Sequence, residues 1–171
     1  MKTFVVLGMH RSATSLAAQG LAKSGIFMGD KLLGAHESNP YGHWEDVDFI
    51  HFNDKMLAMA GGSWDNPPSK DKIKKLVYEK IDEIRDFIKS KQREPFWGWK
   101  DPRTVLTIEL FIPFLKNPHF ITCFRDPMEV AKSLNKRDGM DIKKGLRLAS
   151  IYNNRLIDFL IKFGSKHETY L

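Results

Sequence analysis

The run Val5-Val6-Leu7-Gly8-Met9-His10-Arg11-Ser12-Ala13-Thr14-Ser15 constrains this chain more than any other segment. An apolar stretch predicts a buried strand, which enters a tight loop that opens straight into a helix. Such a unit points free backbone N–H groups and the positive end of a helix dipole at one spot. It is therefore an anion site by construction.

The same run has the outline of the phosphate loop Gly-x4-Gly-Lys-Ser/Thr, with two positions changed. Ala13 stands at the second glycine and Thr14 at the lysine, while the cation sits three residues upstream at Arg11. The loop suits a phosphate-like group but lacks the lysine that ATP and GTP enzymes use.

A chain of 171 residues is enough for one domain with its own core, here taken as residues 1–171. At 42% hydrophobic and 28% charged, the composition is that of an ordinary globular protein and carries no signature of disorder. The net charge of +6 fits an anionic ligand, nucleic acid or a membrane surface without choosing among them. Cys123 is the single cysteine and lies in the apolar run Phe120 to Phe124, which excludes a disulfide framework and reads as a core position. No apolar stretch approaches the ~20 residues of a membrane span, and Phe4 to Leu7 is too brief for a secretory signal. The expected location is cytoplasmic.

The order of elements predicts an α/β domain. Strand Thr3–Leu7 is followed by a helix from Ala13 to Ser24, which stops at Gly25. After a loop, a helix runs from Glu45 to Met59 and ends at Gly61-Gly62. Lys70 to Arg93 reads as one long amphipathic helix, with Ile73, Leu76, Val77, Ile81, Ile84 and Ile88 on one face. Phe96-Trp97-Gly98-Trp99 is a buried strand that leads through Asp101-Pro102 into a helix from Arg103 to Leu115. Strand Phe120–Phe124, a helix opened by Asp126-Pro127, a helix from Asp141 to Phe163 and a final strand complete the chain. Strands separated by helices imply a three-layer α/β/α fold around a central parallel sheet, with ligands at the carboxyl ends of the strands.

Three strand ends hold the polar residues of interest: Gly8 to Ser15, Trp99 to Arg103, and Phe124 to Ser133. A metal-dependent phosphoryl transferase places an aspartate at such a strand end. Arg125 stands there instead, with Ser133 two helical turns on. The arrangement favours a ligand with two separated anionic groups and argues against magnesium-dependent phosphoryl transfer.

These segments resemble the sulfotransferases that use 3′-phosphoadenosine 5′-phosphosulfate (PAPS), in particular bacterial and phage-type sulfotransferase-like proteins. The family pattern is G-M-H-R-S-G-T-S, N-P-x-G-x-W-E-D, W-G-W-K-D-P-R and F-R-x-P-x-x-V-A-x-S-L. The corresponding segments are Gly8–Ser15, Asn39–Asp46, Trp97–Arg103 and Phe124–Leu134, in that order. The resemblance implies a P-loop-type sulfotransferase fold, with PAPS as donor, 3′,5′-ADP as product and no metal. It implies a 5′-phosphosulfate loop made by Gly8, His10, Arg11, Ser12, Ala13, Thr14 and Ser15. It also implies a 3′-phosphate pair, Arg125 and Ser133, and a catalytic lysine at Lys100. Arg11 and Lys100 would stabilise charge on the leaving group.

The acceptor, a hydroxyl or amine, must lose a proton, so a general base is expected. Glu45 is the first candidate, because the resemblance implies a glutamate from the segment after the first helix, with Asp46, His43, Glu37 and Asp101 as rivals. Asp101 also reads as an N-cap, and Glu45 and Asp46 as complements to a helix dipole. His36, His43 and His51 have no metal-site spacing. Trp44 and Tyr41 lie in a loop able to stack on a sugar or an aromatic acceptor. A small-molecule, carbohydrate or lipid acceptor is expected, with no nucleic acid partner. A homodimer is one option for assembly.

Two departures from the family pattern stand out. Ala13 replaces a glycine, and positive φ at that position would strain an alanine by about 1 kcal/mol. The chain ends at Leu171, where relatives continue, so the expectation is a domain lacking their C-terminal strand and helix. The alternatives are a non-catalytic protein on the sulfotransferase scaffold, or a P-loop kinase.

Overall fold

The computed structural model describes residues 1–35 and 42–170. Their elements are β1 (Lys2–Gly8), α1 (Thr14–Lys23), α2 (Val47–Met59), α3 (Lys70–Glu79), α4 (Ile81–Lys91), β2 (Phe96–Lys100), α5 (Thr104–Phe111), β3 (Pro118–Cys123), α6 (Pro127–Asp138), α7 (Ile142–Phe163) and β4 (Glu168–Tyr170). The strands form a four-stranded sheet in the order β2-β1-β3-β4. Every pairing is parallel, and Val5 lies opposite both Trp99 and Phe120.

Alternation along β1 assigns the two faces of the sheet. Val5 and Leu7 join a large core with Trp97, Trp99, Phe120 and the apolar residues of α2 to α7. Val6 points the other way, into a smaller cluster with Ala18 of α1 and Met28. Helices therefore cover both faces, an arrangement compatible with α/β/α layering. Within the larger core, Phe49 stacks on Trp99 with ring centroids 4.3 Å apart.

The helix starts follow capping chemistry. Asp46 accepts the Asp48 N–H at 2.8 Å, Asp126 the Glu129 N–H at 3.0 Å and Asp141 the Lys144 N–H at 3.1 Å. Pro127 occupies the first turn of α6, where its missing N–H costs nothing.

Two expected elements differ. The helix expected over Lys70–Arg93 is broken at Lys80, whose φ of −127° leaves the helical region, so α3 and α4 are separate. Ile81, placed on the apolar stripe by spacing, is 44% exposed as a result. The helix expected to reach Leu115 ends at Phe111 and tightens into a 3-10 turn over Ile112–Phe114, where Pro113 cannot donate to an α-helical ladder.

Candidate anion-binding site

The carboxyl ends of β1, β2 and β3 open on a cleft of ≈ 490 Å³. Its lining brings together His10, Arg11, Ala13, Thr14 and Ser15 from the first loop, His43 to Glu45 ahead of α2, Lys100 from β2, and Arg125 and Arg137. Residues far apart in sequence converge because parallel strands all deliver their loops to the same edge.

The first loop is held in an unusual backbone. Arg11 has φ 68° and Ala13 has φ 61°, both in the left-handed region that disfavours a Cβ. The strain foreseen for Ala13 is therefore present, directly at the start of α1. Trp44, across the cleft, also has a positive φ of 58°. Gly8 is needed for close approach: a Cβ there would lie 2.7 Å from the Cys123 carbonyl oxygen and 2.7 Å from Thr14 Cγ2. Gly8, Ser12 and Ser133 support the cleft without lining it.

Two polar groups of the loop are buried without hydrogen-bond partners among the described residues. His10 is 8% exposed and Ser12 2% exposed, and neither His10 Nε2 nor Ser12 Oγ has a hydrogen-bond partner among the described residues. Buried polar atoms are nearly always paired, so two orphans in one loop at the head of a helix mark a place that a ligand could complete. The His10 ring packs on Trp64 at 4.7 Å and faces Tyr152 at 6.3 Å. Burial, followed by Arg103, Arg137, Lys100 and His43, holds His10 well below its ordinary pKa, so the imidazole is neutral.

Cations dominate the cleft. Arg11 Nε donates to Ser133 Oγ at 2.8 Å, and Arg125 Nη1 donates to the Arg11 carbonyl at 2.8 Å. Arg125 and Ser133 thus flank Arg11. Arg125 also lies 3.7 Å from Glu129 on an exposed face. Lys100 is only 2% exposed. Its Nζ donates to Glu45 Oε1 at 2.6 Å and to the His43 carbonyl at 2.9 Å. Ser15 Oγ donates to that same carbonyl at 3.0 Å, tying α1 to the segment before α2.

The candidate bases separate by their partners. Asp46 is buried, caps α2 and pairs with Lys91 at 3.0 Å. Asp101 is fully buried and accepts from Asn53 Nδ2 at 2.8 Å, from the Arg103 N–H at 3.1 Å and from Arg103 Nη1 at 2.9 Å. Burial raises its pKa, against the opposing pull of Arg103. Neither of them lines the cleft. Among the described lining residues Glu45 is the one carboxylate. His36, Glu37 and Tyr41 lie outside the described residues, as do Asn39 and Pro40.

Arg137 lines the cleft and was not singled out from the sequence. A signal was available: it falls four residues after Ser133 on a helix, hence on the same face.

The chain matches no family model, and no curated protein matches it.

Proposed function

We propose that this protein is a sulfotransferase that moves a sulfuryl group from PAPS to a hydroxyl or amine acceptor without a metal, on a P-loop-type sulfotransferase scaffold. The observation that carries the reading is the cleft itself. The α1 N-terminus, Arg11, Lys100 and Arg125 meet there around one lining carboxylate, and His10 Nε2 and Ser12 Oγ await partners beside them. A cleft of ≈ 490 Å³ lies in the range of small-molecule sites. Its charge suits a ligand with more than one anionic group.

The donor supplies a sulfuryl group whose S–O bond to the bisphosphate breaks as a bond to the acceptor forms. The residues of this chain would do the rest. Arg11, Ser12, Thr14, Ser15 and the first amides of α1 would bind the phosphosulfate end, and Gly8 lets that loop pack against β3. Arg125 and Ser133 would bind the second phosphate, the Ser133 hydroxyl donating to it while still accepting from Arg11. Lys100, fixed by β2, would meet negative charge as it builds on the leaving oxygen. Glu45 would take the acceptor's proton, and its pairing with Lys100 couples base and electrophilic stabiliser. The acceptor class expected is a small molecule, a carbohydrate or a lipid.

A second reading is a binding protein on the same scaffold, without turnover. It draws on the strained Ala13 at the head of α1 and on a Lys100 already neutralised by Glu45.

The test is release of 3′,5′-ADP from PAPS in the presence of chelator and a panel of phenols, sugars, amines and lipid headgroups. The proposal expects acceptor-dependent release, abolished in Lys100→Ala. Nucleotide binding without release under any acceptor supports the second reading.

A further inference from the structure

We infer that Arg137 is a third anion-binding arm of the cleft, completing with Arg11 and Arg125 a set of guanidinium groups that receives a phosphate-type group of the ligand. The inference rests on the sulfotransferase reading only for the identity of that ligand.

Three independent features support it. The first is placement. Ser133 and Arg137 are one helical turn apart on α6, and Ser133 already holds Arg11 at 2.8 Å, so Arg137 stands beside the Arg11 side chain and lines the same cleft. The second is orientation. Arg137 is held as a rigid plate: Asp138 accepts from its Nε at 2.7 Å and from its Nη2 at 2.5 Å, and its guanidinium carbon lies 5.7 Å from the Trp64 ring. Those bonds use one edge of the fork and leave Nη1 without a hydrogen-bond partner among the described residues. A guanidinium anchored on one edge and stacked on one face is pre-organised to bind an anion with the other edge.

The third is the field. At Arg11, burial and then the charges of Arg137 and Arg125 disfavour the protonated guanidinium, and the attraction of Asp138 is the smallest of the four effects. Asp138 therefore does not cancel Arg137 on the cleft side. The three guanidinium groups thus set up a positive field on the cleft side that an anion would relieve. The buried, unpartnered His10 Nε2 faces the same field, with Arg137 among the groups that keep it neutral. A neutral imidazole can still carry an N–H on Nε2 and donate it to that anion.

The experiment is calorimetric titration with inorganic pyrophosphate and, separately, with 3′,5′-ADP, in chelator, for wild type, Arg137→Gln, Arg137→Lys and Asp138→Asn. The expected result is binding of both ligands by wild type and at least a tenfold weaker Kd in Arg137→Gln. Arg137→Lys should fall between the two, and Asp138→Asn should bind about as well as wild type, because its amide oxygen still accepts from Arg137 while the charge that competes with the incoming anion is gone. The Asp138 variant separates ligand contact from structural support: if Arg137 only anchors α6, Asp138→Asn should weaken binding as much as Arg137→Gln does. That result, or an unchanged Kd in Arg137→Gln, overturns the inference and leaves the nucleotide reading intact. Pyrophosphate binding that depends on Arg137 without any 3′,5′-ADP binding sustains the inference and removes the nucleotide. Absence of both in wild type removes the two together.

Discussion

Lys100 Nζ and Glu45 Oε1 meet at 2.6 Å inside the cleft, 55 residues apart in sequence and both withdrawn from water. The pair joins the end of β2 to the segment that leads into α2. Removing one partner of a buried ion pair strands the other, at a cost of about 3–5 kcal/mol. Glu45 would keep Arg103 Nη1 at 3.9 Å, so Lys100→Met should lower stability in urea by less than that, about 1–3 kcal/mol. Glu45→Gln keeps an acceptor for Lys100 but leaves its buried ammonium without the counter-charge, so it should also lower stability, by up to about the same amount. On the proposed mechanism Glu45→Gln should also retain 3′,5′-ADP binding while turnover falls by about 10²-fold or more. Turnover at the wild-type rate in Glu45→Gln would take the base role away from Glu45.

Ala13 sits at φ 61° where glycine would be at ease. Ala13→Gly relieves strain of about 1–2 kcal/mol but adds about 0.4–1 kcal/mol of unfolded-state entropy. The expected outcome is a modest net stabilisation, below about 1.5 kcal/mol. It should raise the melting temperature without loss of ligand binding. Ala13→Val, with a branched Cβ in the same conformation, should be strongly destabilised.

His10 makes a prediction in pH. Its folded pKa is depressed, by burial first and by the cations Arg103, Arg137 and Lys100 next. The unfolded value is about 6.5. Between the two, the unfolded chain binds the extra proton, so stability rises with pH across that window. The contribution of His10 is complete above about pH 6.5 and drains away below it, with a slope of up to about 1.4 kcal/mol per pH unit. Urea unfolding from pH 7.5 to 5 should show this slope reduced in His10→Gln. An unaltered slope would mean that other groups carry it.

Gly8 marks where the strand and the anion loop must touch. A Cβ there would run into the Cys123 carbonyl and Thr14. Gly8→Ala should destabilise the fold by about 1–3 kcal/mol through overpacking. It should also weaken ligand binding, since the displaced groups are the end of β3 and the start of α1. Calorimetry and denaturation of the same variant would show both effects.

Much of this architecture was legible in the sequence because it rests on local rules. The continuous apolar run Val5-Val6-Leu7 marked a buried strand, and Asp126-Pro127 marked a helix start. The rule that parallel strands deliver their loops to one edge then assembled Arg11, Lys100 and Arg125 in one place. The break at Lys80 was not legible, since Ile73 to Ile88 keeps helical spacing straight across it and only the Lys80 backbone departs. Asp46 and Asp101 looked like rivals to Glu45 until their partners Lys91, Asn53 and Arg103 were placed, and such pairings over dozens of residues have no sequence period. Arg137 carried a weak signal, its position one turn beyond Ser133, which gains meaning only beside Arg11.

The central claim is that Arg125 and its neighbours bind a nucleotide carrying a 3′-phosphate. The most direct measurement is a calorimetric titration of wild type and Arg125→Ala with 3′,5′-ADP and with 5′-ADP, in chelator. Tight binding of 3′,5′-ADP to wild type, at least tenfold weaker binding of 5′-ADP, and loss of that preference in Arg125→Ala are the expected results. Equal binding of the two nucleotides by wild type, or no binding of either to the folded protein, would contradict the claim.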